Sequence, residues 1–153
     1  MKFSSKEDLD IPKDKTFEIL SDFKAFERKA MRHGAAIVRT APQSRGPIGT
    51  SWAIQATIRG KSRNIQLSLT DYEPATFLSF SAVSSEFSAV MSFELTEHSD
   101  AKTRMRAALE IKAKTLSARL MMQSARLAKK TLNNRYKLRV ANFAEDLEQK
   151  YAV

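Results

Sequence analysis

This sequence predicts an α+β fold in which a curved antiparallel sheet of about seven strands is covered by a long C-terminal helix. Three observations predict it. Residues 36–115 alternate apolar and polar side chains with period two, in short runs separated by turn residues, which is the pattern of strands in a meander. Residues 116–150 contain no Pro or Gly and read as one helix about 50 Å long at the helical rise per residue. Between an opening strand and the meander lie two short segments with helix start and stop signals. A sheet with one apolar face must bury that face, and the long helix is the element available to do so.

The 153 residues suit a single domain, 1–153, with a core of its own. The formal charge is +9, a balance that favours anionic partners or simply keeps the protein in solution. With no Cys, disulfides, thiolate nucleophiles and Cys-ligated metals are excluded. The N-terminal residues show no apolar signal region, and no apolar run is long enough to span a bilayer. The expectation is a cytoplasmic protein without a transmembrane segment.

Along the chain, Phe3, Ser5, Leu9 and Ile11 alternate with polar neighbours as a first strand. Pro12 fits the first turn of a helix whose apolar side is Phe17, Ile19 and Leu20. Asp22 is placed to cap a second helix carrying Phe23, Phe26 and Met31, which Gly34 ends. Ala36 to Thr40 make a short strand, and Pro42 to Gly49 a turn region. Trp52, Ile54, Ala56 and Ile58 form one face of the next strand, and Gly60-Lys61 turns the chain. Ile65, Leu67 and Leu69 follow, then a turn at Glu73-Pro74-Ala75, then Leu78, Phe80 and Ala82. Phe87, Ala89, Met91, Phe93 and Leu95 precede a polar loop at His98 to Ala101, and Met105, Ala107, Leu109, Ile111 and Ala113 complete the meander. Short connections between such strands imply antiparallel neighbours with one wet and one buried face.

Thr115 or Ser117 can cap the long helix. At about 100° per residue, Arg119, Arg126, Lys130, Asn133, Lys137 and Glu148 share a ridge that should face solvent. One apolar stripe beside it holds Leu116, Leu120, Leu127 and Leu138, and another holds Met122, Ala125, Leu132, Tyr136, Val140, Phe143 and Leu147. Between the stripes, opposite the ridge, lie Ser117, Met121, Ser124, Ala128, Thr131, Arg135 and Asn142. Small and polar residues on the line expected to face a sheet point to a space between helix and sheet with a few polar anchors. A dry interface with small residues at its closest approach would give the same line, with Arg135 extending to an edge.

This layout resembles the START-like superfamily, also called SRPBCC, which groups Bet v 1-like proteins with polyketide cyclases, dehydrases and lipid carriers. Three stretches carry the resemblance: Ile11 to Phe23, which ends in Asp22 before an aromatic; Gly49-Thr50-Ser51-Trp52 at a strand start; and Thr70-Asp71-Tyr72-Glu73-Pro74 followed by Phe77-Leu78-Ser79-Phe80. The resemblance implies a helix-grip fold, with an apolar cavity between sheet and C-terminal helix that takes a lipid, isoprenoid or polyketide-like ligand. The segment Phe23 to Lys29 lacks the Pro-rich aromatic stretch of ubiquinone-binding members. The ligand-binding candidates are Trp52, Ile54, Leu67, Phe80, Met91, Phe93, Met105 and Leu109 from the strands, and Met121, Ser124, Ala128, Thr131 and Arg135 from the helix. Arg135 is the polar anchor, because a guanidinium holds an acidic head bidentately.

Catalytic signals are absent by pattern: no metalloprotease, phosphate-loop or nucleophile-elbow motif occurs. His33 and His98 have no patterned partner, and Asp71 and Glu73 read as turn residues. No catalytic residue, metal ligand or cofactor is expected. A non-enzymatic ligand binder is the favoured reading, with a cyclase or dehydratase as the enzymatic alternative. The basic ridge is a further candidate contact for an anionic surface or an acidic protein. No exposed aromatic set interleaves with it, which argues against nucleic acid.

Overall fold

The computed structural model describes residues 1–40 and 47–152, so positions 42–46 of the expected turn lie outside the described residues. Strand β1 (Lys2–Leu9) leads into helices α1 (Lys13–Leu20) and α2 (Phe23–Arg32). The meander follows as β2 (Ala36–Arg39), β3 (Ser51–Ile58), β4 (Lys61–Glu73), β5 (Phe77–Val83), β6 (Phe87–Ser99) and β7 (Lys102–Ala113). Helices α3 (Leu116–Leu127) and α4 (Lys129–Ala152) complete the chain. The seven strands form one curved, unclosed antiparallel sheet in the order β1-β7-β6-β5-β4-β3-β2.

Local chemistry sets the element ends. The Asp22 carboxylate accepts from the Ala25 amide at 3.1 Å, and the Thr115 hydroxyl accepts from the Ala118 amide at 3.2 Å, so each satisfies an orphan donor of a first helical turn. The β3–β4 hairpin turns on Arg59 (φ 53°) and Gly60 (φ 75°), one residue earlier than the expected Gly60-Lys61. Two consecutive positive φ angles match the right-handed twist of the flanking strands.

Strand pairing builds the inner face of the sheet as rungs. Phe3, Leu109, Met91, Phe80 and Leu69 stand opposite one another in turn across β1, β7, β6, β5 and β4. The next rung is Ser5, Ala107, Phe93, Leu78 and Tyr72. Leu69 and Tyr72 are three apart and would alternate to opposite faces in a regular strand. The register slips between Leu69 and Asp71, and this bulge turns both side chains inward.

The core occupies one end of this face. Leu9, Ile11, Phe17, Leu69, Leu78, Leu95 and Met105 pack there with Val140, Ala144 and Leu147 of α4. Each of these side chains other than Ala144, fully buried, contributes roughly 1.5–3 kcal/mol. The buried Thr103 hydroxyl donates to the Ile11 carbonyl at 2.7 Å and ties the β1–α1 junction to β7.

Three expectations are corrected. Strand β6 runs through Ser99, so His98 and Ser99 are strand residues and only Asp100-Ala101 turn. Cross-strand pairing with β7 continues past Leu95, the last apolar residue of β6, although Thr96 to Ser99 are exposed. The C-terminal helix is not continuous: Ala128, at φ −103° and ψ 21°, caps α3 before α4 begins. The helix is also turned about its axis. Of the two apolar stripes, only that of Met122, Ala125, Leu132, Tyr136, Val140, Phe143 and Leu147 is buried or half-buried, while Leu116, Leu120, Leu127 and Leu138 are exposed. Tertiary anchors fix that rotation. The Tyr136 hydroxyl donates to the Ala107 carbonyl at 2.8 Å and its ring stacks on Phe3. The Lys129 ammonium lies 4.0 Å from the Phe3 ring centroid and donates to the Lys2 carbonyl.

Candidate functional site

The inner face of the sheet forms a trough that is filled at one end and open at the other. At the filled end, Met105 is fully buried in the core, and Phe80 and Phe93 pack against that core. Phe93 meets Phe143 of α4 at 5.8 Å between ring centroids. Further along, Ile54, Leu67 and Leu109 are half-buried, and Met91 is 39% exposed. Pairing places Leu67, Ala82, Ala89 and Ile111 on a rung beside the Phe80–Met91–Leu109 rung, so the apolar surface is continuous from β4 to β7. The strand candidates Trp52, Ile54, Leu67, Phe80, Met91, Phe93, Met105 and Leu109 all share this face by register.

The helix candidates are placed differently. Met121, Ser124, Ala128, Thr131 and Arg135 are all exposed rather than packed on the sheet. Helical spacing nonetheless fixes which side of α4 they occupy. Asp146 reaches Lys29 of α2 at 3.5 Å, and Arg135 and Arg139 lie eleven and seven residues before it, on the same side of the helix. That side looks across the trough toward α2.

Trp52 is closed off by α2. Phe23 and Phe26 contact its ring edge-to-face at 5.4 and 5.8 Å. Its indole N–H donates to Glu27 at 2.8 Å, and Arg39, the rung partner of Trp52, reaches the same carboxylate oxygen at 2.8 Å. Burial pushes the Glu27 carboxyl up, but the indole and the guanidinium outweigh it and hold the group below its ordinary range. A second cluster lies on the open side. Glu86 accepts from Lys61 at 2.8 Å and from Arg63 at 3.1 Å, and these donors lower its pKa. Arg39 and Arg63 have the inward parity of Ile37 and Ile65, a signal present in the sequence but masked by their charge.

The remaining candidates are peripheral. His33 caps α2 with its ring against the Lys29 carbonyl, and His98 is exposed at the end of β6. Among the described residues, no group of three or more His, Asp or Glu side chains could hold a metal ion. Two surface grooves border the trough and share Ile111 and Ile54 with it. One of about 450 Å³ runs between β7 and α3, past Ile111, Met122, Arg119 and Arg126. The other, of about 530 Å³, lies along β2 to β5, past Val38, Ile54 and Val83.

No family model matches the chain, and no curated protein matches it in sequence. Solved structures do match. The protein TTHA0849 from Thermus thermophilus is 10% identical, with coverage of 96% of this chain and 97% of that one and a TM-score of 0.69. The Zhui aromatase/cyclase from Streptomyces sp. R1128 is 10% identical, with coverage of 95% and 93% and a TM-score of 0.65. A START superfamily protein from Mycobacterium smegmatis is 14% identical, with coverage of 88% and 95% and a TM-score of 0.59. Identities this low speak to fold alone. The chain shares the fold of these structures, the helix-grip fold seen in START-like, or SRPBCC, proteins.

Proposed function

We propose that this chain binds a small hydrophobic ligand, of the lipid, isoprenoid or polyketide-like kind, in the trough between the sheet and the C-terminal helix. The observation that carries this reading is the rung of Phe80, Met91 and Leu109 with Leu67 on the rung beside it, continuous with the core yet only partly covered. Apolar surface left wet forgoes about 25 cal/mol per Å², and a concave apolar face returns that to whatever fills it. The shared fold of an aromatase/cyclase and a START protein supports the same use. Arg135 is exposed, has no ion pair among the described residues and stands on the trough side of α4, where it serves an acidic head group.

A binder is favoured over a cyclase or dehydratase by the state of the nearby carboxylates. Glu27 and Glu86 are both paired to cations and held below the ordinary range, so each is ionised at neutral pH and already partnered. A general acid or base poised near neutrality needs the opposite shift.

Native mass spectrometry after exposure to a lipid extract, paired with uptake of a fluorescent fatty acid, tests the reading. The expected result is a defined apolar adduct and saturable probe binding. Arg135→Leu should weaken an acidic probe about tenfold and leave a neutral analogue unaffected. A chain that stays ligand-free and takes up no probe sinks the proposal.

A further inference from the structure

One face of the C-terminal helices is left exposed among the described residues. In α3, Ala118 and Met122 are buried. Leu116, Leu120 and Leu127 lie about 120–160° around the helix from Met122, pointing away from the sheet. They are 72%, 56% and 92% exposed. Leu138 extends the stripe along α4 and is also exposed. Arg119, Arg126, Lys130 and Lys137 flank it, and from Leu116 to Arg139 the chain carries seven cations and no acid. Arg119, Arg126, Lys130 and Lys137 are exposed, and none has an ion pair among the described residues.

We propose that this face docks on an anionic lipid surface. Charge selects the occupant. A second copy of the chain would set these four flanking cations against four, whereas anionic headgroups attract each of them. Shape agrees. The leucines form a single-file convex ridge, which a fluid acyl boundary accepts and which a rigid protein partner would have to match with a groove. Cations flanking an apolar stripe let the helix lie in the interface plane, leucines inward and guanidinium groups at headgroup level. Among the described residues, no helix is long and apolar enough to cross a membrane. The proposal uses the outward face of the helices and stands independently of any ligand in the trough.

Flotation of the full chain with vesicles tests it, using phosphatidylcholine alone and phosphatidylcholine with about a third phosphatidylserine. The expected result is co-flotation with the anionic vesicles only, weakening as salt rises. Leu120→Ser with Leu127→Ser should lower partitioning about tenfold or more, and Arg119→Gln with Arg126→Gln by a similar factor. Leu127→Ser alone, at a side chain with almost no protein contact, supplies a variant whose folding is not at stake. Val90→Ser, at an exposed valine of β6, should change nothing. Three results would overturn the proposal. One is absence of the chain from anionic vesicles at low salt. Another is full binding by the leucine variants with loss only in the arginine pair, which means plain polyanion attraction. The third is a solution dimer split by the leucine substitutions, which means that a second copy covers the stripe.

Discussion

Glu27 joins three elements through one carboxylate. It accepts the indole N–H of the fully buried Trp52 and the guanidinium of Arg39, and so binds α2 to β2 and β3. A buried indole N–H left without an acceptor costs about 1–3 kcal/mol, so Glu27→Ala should destabilise the chain by that order. The pH dependence has a definite sign. The ordinary glutamate value is 4.5, and the folded value lies below it. Between the two, the unfolded chain binds a proton that the folded chain does not, so stability rises with pH across that window. The contribution of Glu27 is complete above the unfolded value and is lost as pH falls through the folded one. Urea midpoints taken from neutral to acid pH should therefore drop less steeply in Glu27→Gln than in the parent chain. Parallel curves for the two would mean that the carboxylate is not held in the ionised form.

Lys129 plays the corresponding part between elements. Its stem crosses from α4 to β1, an edge strand paired only with β7. There the ammonium meets both the Phe3 ring and the Lys2 carbonyl. Lys129→Ala should cost about 1–2 kcal/mol, with the loss concentrated on β1. Amide exchange should quicken along Lys2–Leu9 while β5, in the middle of the sheet, stays protected. Uniform acceleration would show a global effect and no local anchor. The same contact explains what was legible in the sequence. Strand alternation from Trp52 to Ala113 shows which residues share a face, because a side-chain period of two leaves no other arrangement once one face is buried. Asp22 and Thr115 announce helix starts because few side chains reach an N-terminal amide. The rotation of the C-terminal helix was not legible. Its two stripes are about equally apolar, and the choice between them rests on Tyr136 finding the Ala107 carbonyl and Lys129 finding β1, contacts more than twenty-five residues apart in sequence. For the same reason the strand half of the candidate site could be read from parity, while Met121, Ser124 and Thr131 on the helix could not be placed.

At the scale of the molecule, the sheet is longer than the surface that α1, α2 and α4 cover. Core residues from α1 and α4 fill the Leu69–Leu78–Leu95–Met105 end, and Met91, Ile54 and Leu109 beyond it remain partly wet. Uncovered apolar area of this kind couples stability to occupancy, since a ligand that binds only the folded chain adds RT ln(1 + [L]/Kd). At a hundredfold excess over Kd that is about 2.7 kcal/mol, or an upward shift in Tm of roughly 5–10 °C for a chain of this size. Ala89 offers a way to separate filling from folding. It is half-buried on the trough face between Ala82 and Ile111, outside the buried core cluster. Ala89→Phe should leave the ligand-free Tm within a few degrees of the parent and remove most of the ligand-induced rise, since the ring occupies the volume the ligand would take. A variant that keeps the full rise would place the ligand elsewhere. A variant that unfolds outright would mean that this end of the trough is packed shut, and either result would count against ligand binding in the trough.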